Sequence, residues 1–93
     1  MTRGIGKGKG SWESLVRRCI DDGQLSPDAT GIMYMMSLMF LQKLWPATVQ
    51  EDELVTWLKD RSKANDATLR RAIEELIEEG YLVAVTMTKE AQL

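Results

Sequence analysis

The stretch Asp66 to Val85, DATLRRAIEELIEEGYLVAV, constrains this chain more than any other. Leu69, Ala72, Ile73, Leu76 and Ile77 recur at helical spacing, so an α-helix gathers all five on one stripe and leaves its remaining surface polar. Asn65 or Asp66 can start that helix, the side-chain oxygen accepting a hydrogen bond from an early backbone N–H. Gly80 follows the last turn, where a left-handed residue commonly ends a helix and glycine adopts that conformation without strain. Then the period changes. Leu82, Ala84 and Thr86 fall on one side of an extended chain, and Tyr81, Val83, Val85 and Met87 on the other. The spacing predicts a helix over 66–79 passing through one glycine into a strand over 82–86.

The residues before it divide into three further helices. Ser11 caps a helix over 11–22 whose stripe is Trp12, Leu15, Val16, Cys19 and Ile20, with Gly23 as its stop. Cys19 lies on that stripe and is a packing residue rather than a reactive thiol. Ser26-Pro27-Asp28 supplies a cap, a proline at the first helical position and an acid in the first turn. The helix it opens, over 27–44, stops before Trp45-Pro46, because a residue preceding proline avoids helical geometry. Ile32, Met33, Met35, Met36, Leu38, Met39, Phe40 and Leu41 cover more than one of its faces, so it is either the centre of the domain or has a second protein against it. In the second case Met35, Leu38 and Met39 are the dimer contact, and an unpaired edge of the C-terminal strand is another route to self-association. Thr48 and Val49 form a short extended segment. A third helix over 51–60 carries Leu54, Val55, Trp57 and Leu58, with Glu51, Asp52 and Glu53 in the first turn, where acids suit the helix dipole. That suffices to explain them, and a metal-binding acidic cluster is the lesser alternative. Lys59–Asn65 is then the turn into the C-terminal helix.

The first ten residues contrast with all of this. Gly4, Gly6, Gly8 and Gly10 alternate with other residues, and their backbone entropy predicts a flexible basic arm over 1–10 ahead of a single domain over 11–93. Lys9 is followed by Gly10 rather than Ser or Thr, so the arm is no P-loop. It either lies along phosphates through Arg3, Lys7 and Lys9 or is a solvated tail.

Composition narrows the function. The chain has one cysteine and no histidine among its 93 residues, which removes an intrachain disulfide, the usual general base and the commonest metal ligand. No catalytic constellation can be assembled, so an enzyme, a metal and a cofactor are not expected. The apolar run 32–41 is half of the roughly twenty residues a membrane span needs, and no apolar signal region follows the N-terminal charges. A cytoplasmic protein is the expectation. The net charge is −2, but it is unevenly spread. Residues 1–19 and 59–73 are net basic, whereas 20–58 and 74–93 are net acidic. A dipolar molecule of this kind can hold phosphate on one face despite its overall sign.

TLRRAIEELIEEGYL closely resembles the passage from recognition helix to wing in bacterial winged helix-turn-helix DNA-binding domains. LSPDATGIMYMMSLM is similar to the opening helix of phage, plasmid and actinobacterial winged-helix regulators and replication proteins. The resemblance implies a mainly α winged helix-turn-helix with four helices and a minimal β-wing. It also implies double-stranded DNA as partner, probed by the N-terminal half of the helix over 66–79 in a major groove. Ala67 and Arg71 then point outward with Thr68 and Arg70 on their flanks. Arg71 suits a bidentate guanine contact and Thr68 a base or phosphate, while Lys59, Arg61, Lys63 and Arg70 would hold phosphates. Alternatively, Arg70 and Arg71 merely pair with Glu74 and Glu75 one turn on.

Two departures from the family stand out. Nine residues, Lys59 through Ala67, separate the last apolar position of the third helix from Thr68, about one helical turn more than usual. After Thr88 the five residues Lys89–Leu93 are too few for a returning strand, so either the natural chain continues past Leu93 or a one-stranded wing pairs with Thr48-Val49 or with another subunit. The contrasting expectation is a winged-helix module that binds protein and no DNA, favoured by the net acidity and the glutamates of the C-terminal helix.

Overall fold

In the computed structural model, residues 2–41 and 48–87 are described. In chain order they form β1 (Thr2–Lys7), α1 (Trp12–Asp21), α2 (Pro27–Leu41), β2 (Thr48–Gln50), α3 (Glu51–Arg61), α4 (Asp66–Glu78) and β3 (Leu82–Met87). The fold is mainly helical with one small antiparallel sheet ordered β2-β1-β3.

The helices begin as their local chemistry dictates. Ser11 Oγ accepts from the Ser14 N–H at 3.1 Å, Ser26 Oγ from Ala29 at 3.2 Å and Asn65 Oδ1 from Thr68 at 2.9 Å. The end of α4 satisfies two orphan carbonyls. Tyr81 N–H reaches the Leu76 carbonyl at 2.9 Å and Gly80 N–H that of Ile77 at 3.2 Å, with Gly80 at φ +86. This is a Schellman motif, and it aims the chain into β3. Gly23 plays no such part. Instead Asp22 turns the chain after α1, its Oδ1 accepting from the Gln24 N–H at 2.9 Å.

The core lies between the helices and the inner face of the sheet. Leu15 and Cys19 of α1, Ala29, Ile32, Met33 and Met36 of α2, and Leu54, Val55 and Leu58 of α3 are buried in it. So are Leu69, Ala72, Ile73 and Leu76 of α4, and Ile5, Val49 and Leu82 of the strands. Burial pushes the Cys19 thiol up to about 11, which keeps it protonated and unreactive. α2 packs against α1 and α4, and its apolar surface is not wholly covered: Tyr34 and Leu38 are 54% and 42% exposed. Ile20, expected on the buried stripe of α1, is also exposed.

The flexible arm over 1–10 requires correction. Thr2–Lys7 is the middle strand of the sheet, paired with β2 from Gly4 to Gly6 and with β3 from Thr2 to Lys7. Glycine's entropy cost of roughly 1 kcal/mol per residue is opposed by ladders on both sides and by Ile5, whose side chain is fully buried. The residue just after the strand must be a glycine. A β-carbon on Gly8 would fall well inside contact distance of the Gly80 carbonyl oxygen and 3.0 Å from that of Tyr81.

Two more expectations change. β3 pairs with β1, not with Thr48-Val49, because the N-terminal strand lies between them. The extra turn of sequence before Thr68 lengthens α3 to Arg61, leaving only 62–65 as the connection to α4. The expected end of the second helix at residue 44 and the segment Lys89–Leu93 lie outside the described residues.

Candidate nucleic-acid interface

α4 presents its N-terminal half because its stripe is buried against α2 and α3. Leu69, Ala72 and Ile73 face inward, which leaves Ala67 and Arg71 exposed and Thr68 and Arg70 half-buried on the flanks. Behind them, a mainly apolar cleft of about 150 Å³ separates the start of α2 from the α3–α4 turn, lined among others by Ile32, Met35, Leu58, Ala64 and Leu69.

The basic residues around this end divide into engaged and free. Arg70 donates to Glu51 Oε2 at 2.6 Å and to Asp52 Oδ1 at 2.9 Å, bridging α4 to the first turn of α3. The hydrogen bond with Asp52, helped by Glu51 and opposed by burial, raises its pKa. Lys59 pairs with Asp66 at 2.7 Å, tying the end of α3 to the start of α4. That hydrogen bond is the main reason the Asp66 carboxyl titrates below its ordinary value. Arg61 lies 4.2 Å from the centroid of the Trp57 ring and donates to the Trp57 carbonyl at 3.2 Å, folding its guanidinium back along α3. Lys63, in the turn, and Arg71, on α4, are exposed and enter no ion pair among the described residues.

The alternative, pairing of Arg70 and Arg71 with Glu74 and Glu75, does not form. Glu75 accepts from the Ser26 N–H at 2.7 Å and so fixes the start of α2. Glu74 pairs with Arg3, which also donates from Nε to Glu51 Oε1 at 2.8 Å. Burial alone would lower the Arg3 pKa, but Glu51 and Glu74 together outweigh it and raise the value. Glu51, with a side chain only 13% exposed, thus joins Arg3 of β1 to Arg70 of α4. Sequence reasoning placed Glu51 at a helix dipole and missed this role. The signal was its company, since an acid beginning α3 can meet cations only from other elements.

The arm residues are therefore not a free basic tail. Arg3 is committed to the acids of α3 and α4, and Lys7 donates to the Gly10 carbonyl. Lys9 is exposed beside them, between β1 and α1. Of the residues expected to make a dimer, Met35 packs half-buried against the core, Met39 is half-buried and Leu38 is exposed.

Among the described residues, no group of three or more His, Cys, Asp or Glu side chains could hold a metal ion. No described helix is long and apolar enough to cross a membrane. No protein-family model, curated protein or solved structure matches this chain.

Proposed function

We propose that this chain is a cytoplasmic, non-enzymatic DNA-binding protein of winged-helix type, serving transcription, replication or partition, with the N-terminal half of α4 in the major groove of double-stranded DNA. The observation that carries this is the contrast at that end of the molecule. Lys59 and Arg70 brace α3 against α4, while Arg71 and Lys63 stand exposed without an acidic partner among the described residues. A braced helix pair presenting uncommitted cations is suited to a phosphate-lined groove. In this arrangement β1 fills the place that a returning wing strand would take, so the wing is reduced to β3. Arg71 reads a base edge, Thr68 contacts a base or phosphate, and Lys63 and Arg61 hold the backbone.

Arg71→Ala tests this directly, because the side chain is exposed and its loss should change stability by no more than about 0.5 kcal/mol. It should cost about 1–3 kcal/mol at a preferred site and relax the preference at one base pair. Lys63→Ala should weaken preferred and random duplexes alike and lower the salt slope by about one. Arg70→Ala is a poorer probe, since it also removes the bonds to Glu51 and Asp52.

A protein-binding module without DNA is the second reading, favoured by the acids that occupy Arg3, Lys59 and Arg70. It expects weak binding to duplex DNA that neither Arg71→Ala nor Lys63→Ala alters.

A further inference from the structure

The two edges of the sheet are unlike. β2 is three residues long, whereas β3 presents six, LVAVTM, without a charge, a proline or a bulge. Those are the devices by which monomeric proteins keep an open edge from pairing.

The direction of each backbone group along β3 follows from its pairing with β1. Gly8 N–H bonds to the Tyr81 carbonyl at 3.0 Å, and the unbroken register then sets Gly6 against Val83 and Gly4 against Val85. Hydrogen-bonded pairs alternate with non-bonded pairs in an antiparallel ladder. Val83 and Val85 therefore turn their N–H and C=O groups toward β1. Leu82, Ala84 and Thr86 turn theirs to the open side, where no described strand meets them.

We propose that a second copy of this chain completes the edge, its β3 running antiparallel about a two-fold axis through Ala84. In that register Ala84 faces the partner's Ala84, Leu82 faces the partner's Thr86, and every outward N–H and C=O of Leu82, Ala84 and Thr86 meets its counterpart. Val83 faces the partner's Val85 in the non-bonded pairs, where side chains approach most closely. These valines are 42% and 43% exposed in the single chain, an apolar pair on the outer face with room to be covered. Alanine at the axis brings no clash. The edge is thus self-complementary in hydrogen-bond phase and side-chain size, and it carries no charge for a different partner to match. The two sheets become one, ordered β2-β1-β3-β3-β1-β2. This association stands whether or not DNA is the ligand.

Sedimentation of the full chain from low to high micromolar concentration tests the proposal, with circular dichroism to check that each variant is folded. The wild type should approach twice the 10.5 kDa chain mass. Val83→Lys/Val85→Lys places like charges opposite one another and should remain monomeric. Val83→Lys/Val85→Glu should restore the dimer, because each new lysine then lies opposite the partner's new glutamate. Ala84→Pro removes an N–H that points away from β1, so it should block association while sparing the β1–β3 ladder. Amide exchange on the wild type gives a readout free of substitutions: protection at Ala84 should rise with concentration. A wild type that stays monomeric, or a dimer that survives both the double-lysine and the proline change, overturns the proposal. A monomeric lysine–glutamate variant overturns the register.

Discussion

β1 and the α4–β3 unit are joined by the β1–β3 ladder and, just beyond it, by the bond from Gly8 to Tyr81, yet they hold their conformations by different means. α4 carries its own instructions: an apolar stripe, Asn65 at its start and Gly80 at its end. Every one of those signals acts within a few residues. β1 has nothing comparable. Two of its six positions are glycines that favour no conformation, and it is a strand because β2 and β3 satisfy its backbone from both sides while Ile5 enters the core. One element is specified locally and the other by its neighbours, so the two should fail differently when perturbed.

The largest effect is expected at Gly8. Even Gly8→Ala sets a methyl group against the backbone of Gly80 and Tyr81, which cannot move without disturbing the Schellman turn. We expect a loss of about 3 kcal/mol, at the upper end for overpacking, and cooperative loss of amide protection across β1 and β3. Gly23→Ala is the control, since a β-carbon there meets nothing within 4 Å; it should be neutral or slightly stabilising. Chemical denaturation of both variants checks the contrast. Equal stabilities would show that β1 is not held against the helix–strand corner.

This contrast explains what the sequence discloses. The four helices, the caps at Ser11, Ser26, Asn65 and Gly80 and the strand over 82–86 follow from periodicity and capping chemistry, both short-range, and apart from the end of α2 their boundaries agree with the structure within a few residues. The alternation of Gly4, Gly6 and Gly8 with Arg3, Ile5 and Lys7 is also a period of two, with Ile5 marking the inner face. It was hidden because a strand's stability lies in partners that sequence alone does not locate. The basic residues divide in the same way. That Arg71 is exposed follows from the helical stripe, but the commitment of Arg70 to Glu51 and Asp52 depends on how α3 packs on α4. Helical spacing pointed to Glu74 instead.

A smaller effect is expected at Tyr81, which joins the two regions. Its carbonyl receives the Gly8 N–H, and its hydroxyl donates to Asp22 Oδ2 at 2.9 Å while Arg18 lies 5.5 Å from the ring centroid. Tyr81→Phe should cost about 2 kcal/mol at neutral pH, as for a hydrogen bond to a charged acceptor. Burial first, and then the bond to Asp22, pushes the Tyr81 hydroxyl up to about 12. The folded chain therefore holds this proton more tightly than the unfolded chain, whose value is near the ordinary 10. The associated stability is complete below pH 10 and is lost as the pH rises from 10 to about 12. Denaturation midpoints of the wild type should fall across that window more steeply than those of Tyr81→Phe. Parallel curves would remove Tyr81 as the cause.

The smallest effect should come from the cap of α4, and it isolates the local side of the comparison. Asn65 Oδ1 accepts the Thr68 N–H at 2.9 Å from an exposed position, so Asn65→Ala removes one bond and little packing. The expected loss is about 1 kcal/mol. Asp66 is poorly placed to take over, because it is already inside the helix and its carboxylate is held by Lys59. Asn65→Asp keeps the acceptor and adds a negative charge at the positive end of the helix dipole, so it should match or exceed the wild type. The deficit of Asn65→Ala should appear as faster amide exchange in the first turn of α4, with β1 protected as before. Were β1 to lose protection at the same time, and by more than the overall stability change accounts for, the two regions would not be separable. If Asn65→Asp were as destabilising as Asn65→Ala, the cap would owe its strength to the amide rather than to its acceptor oxygen.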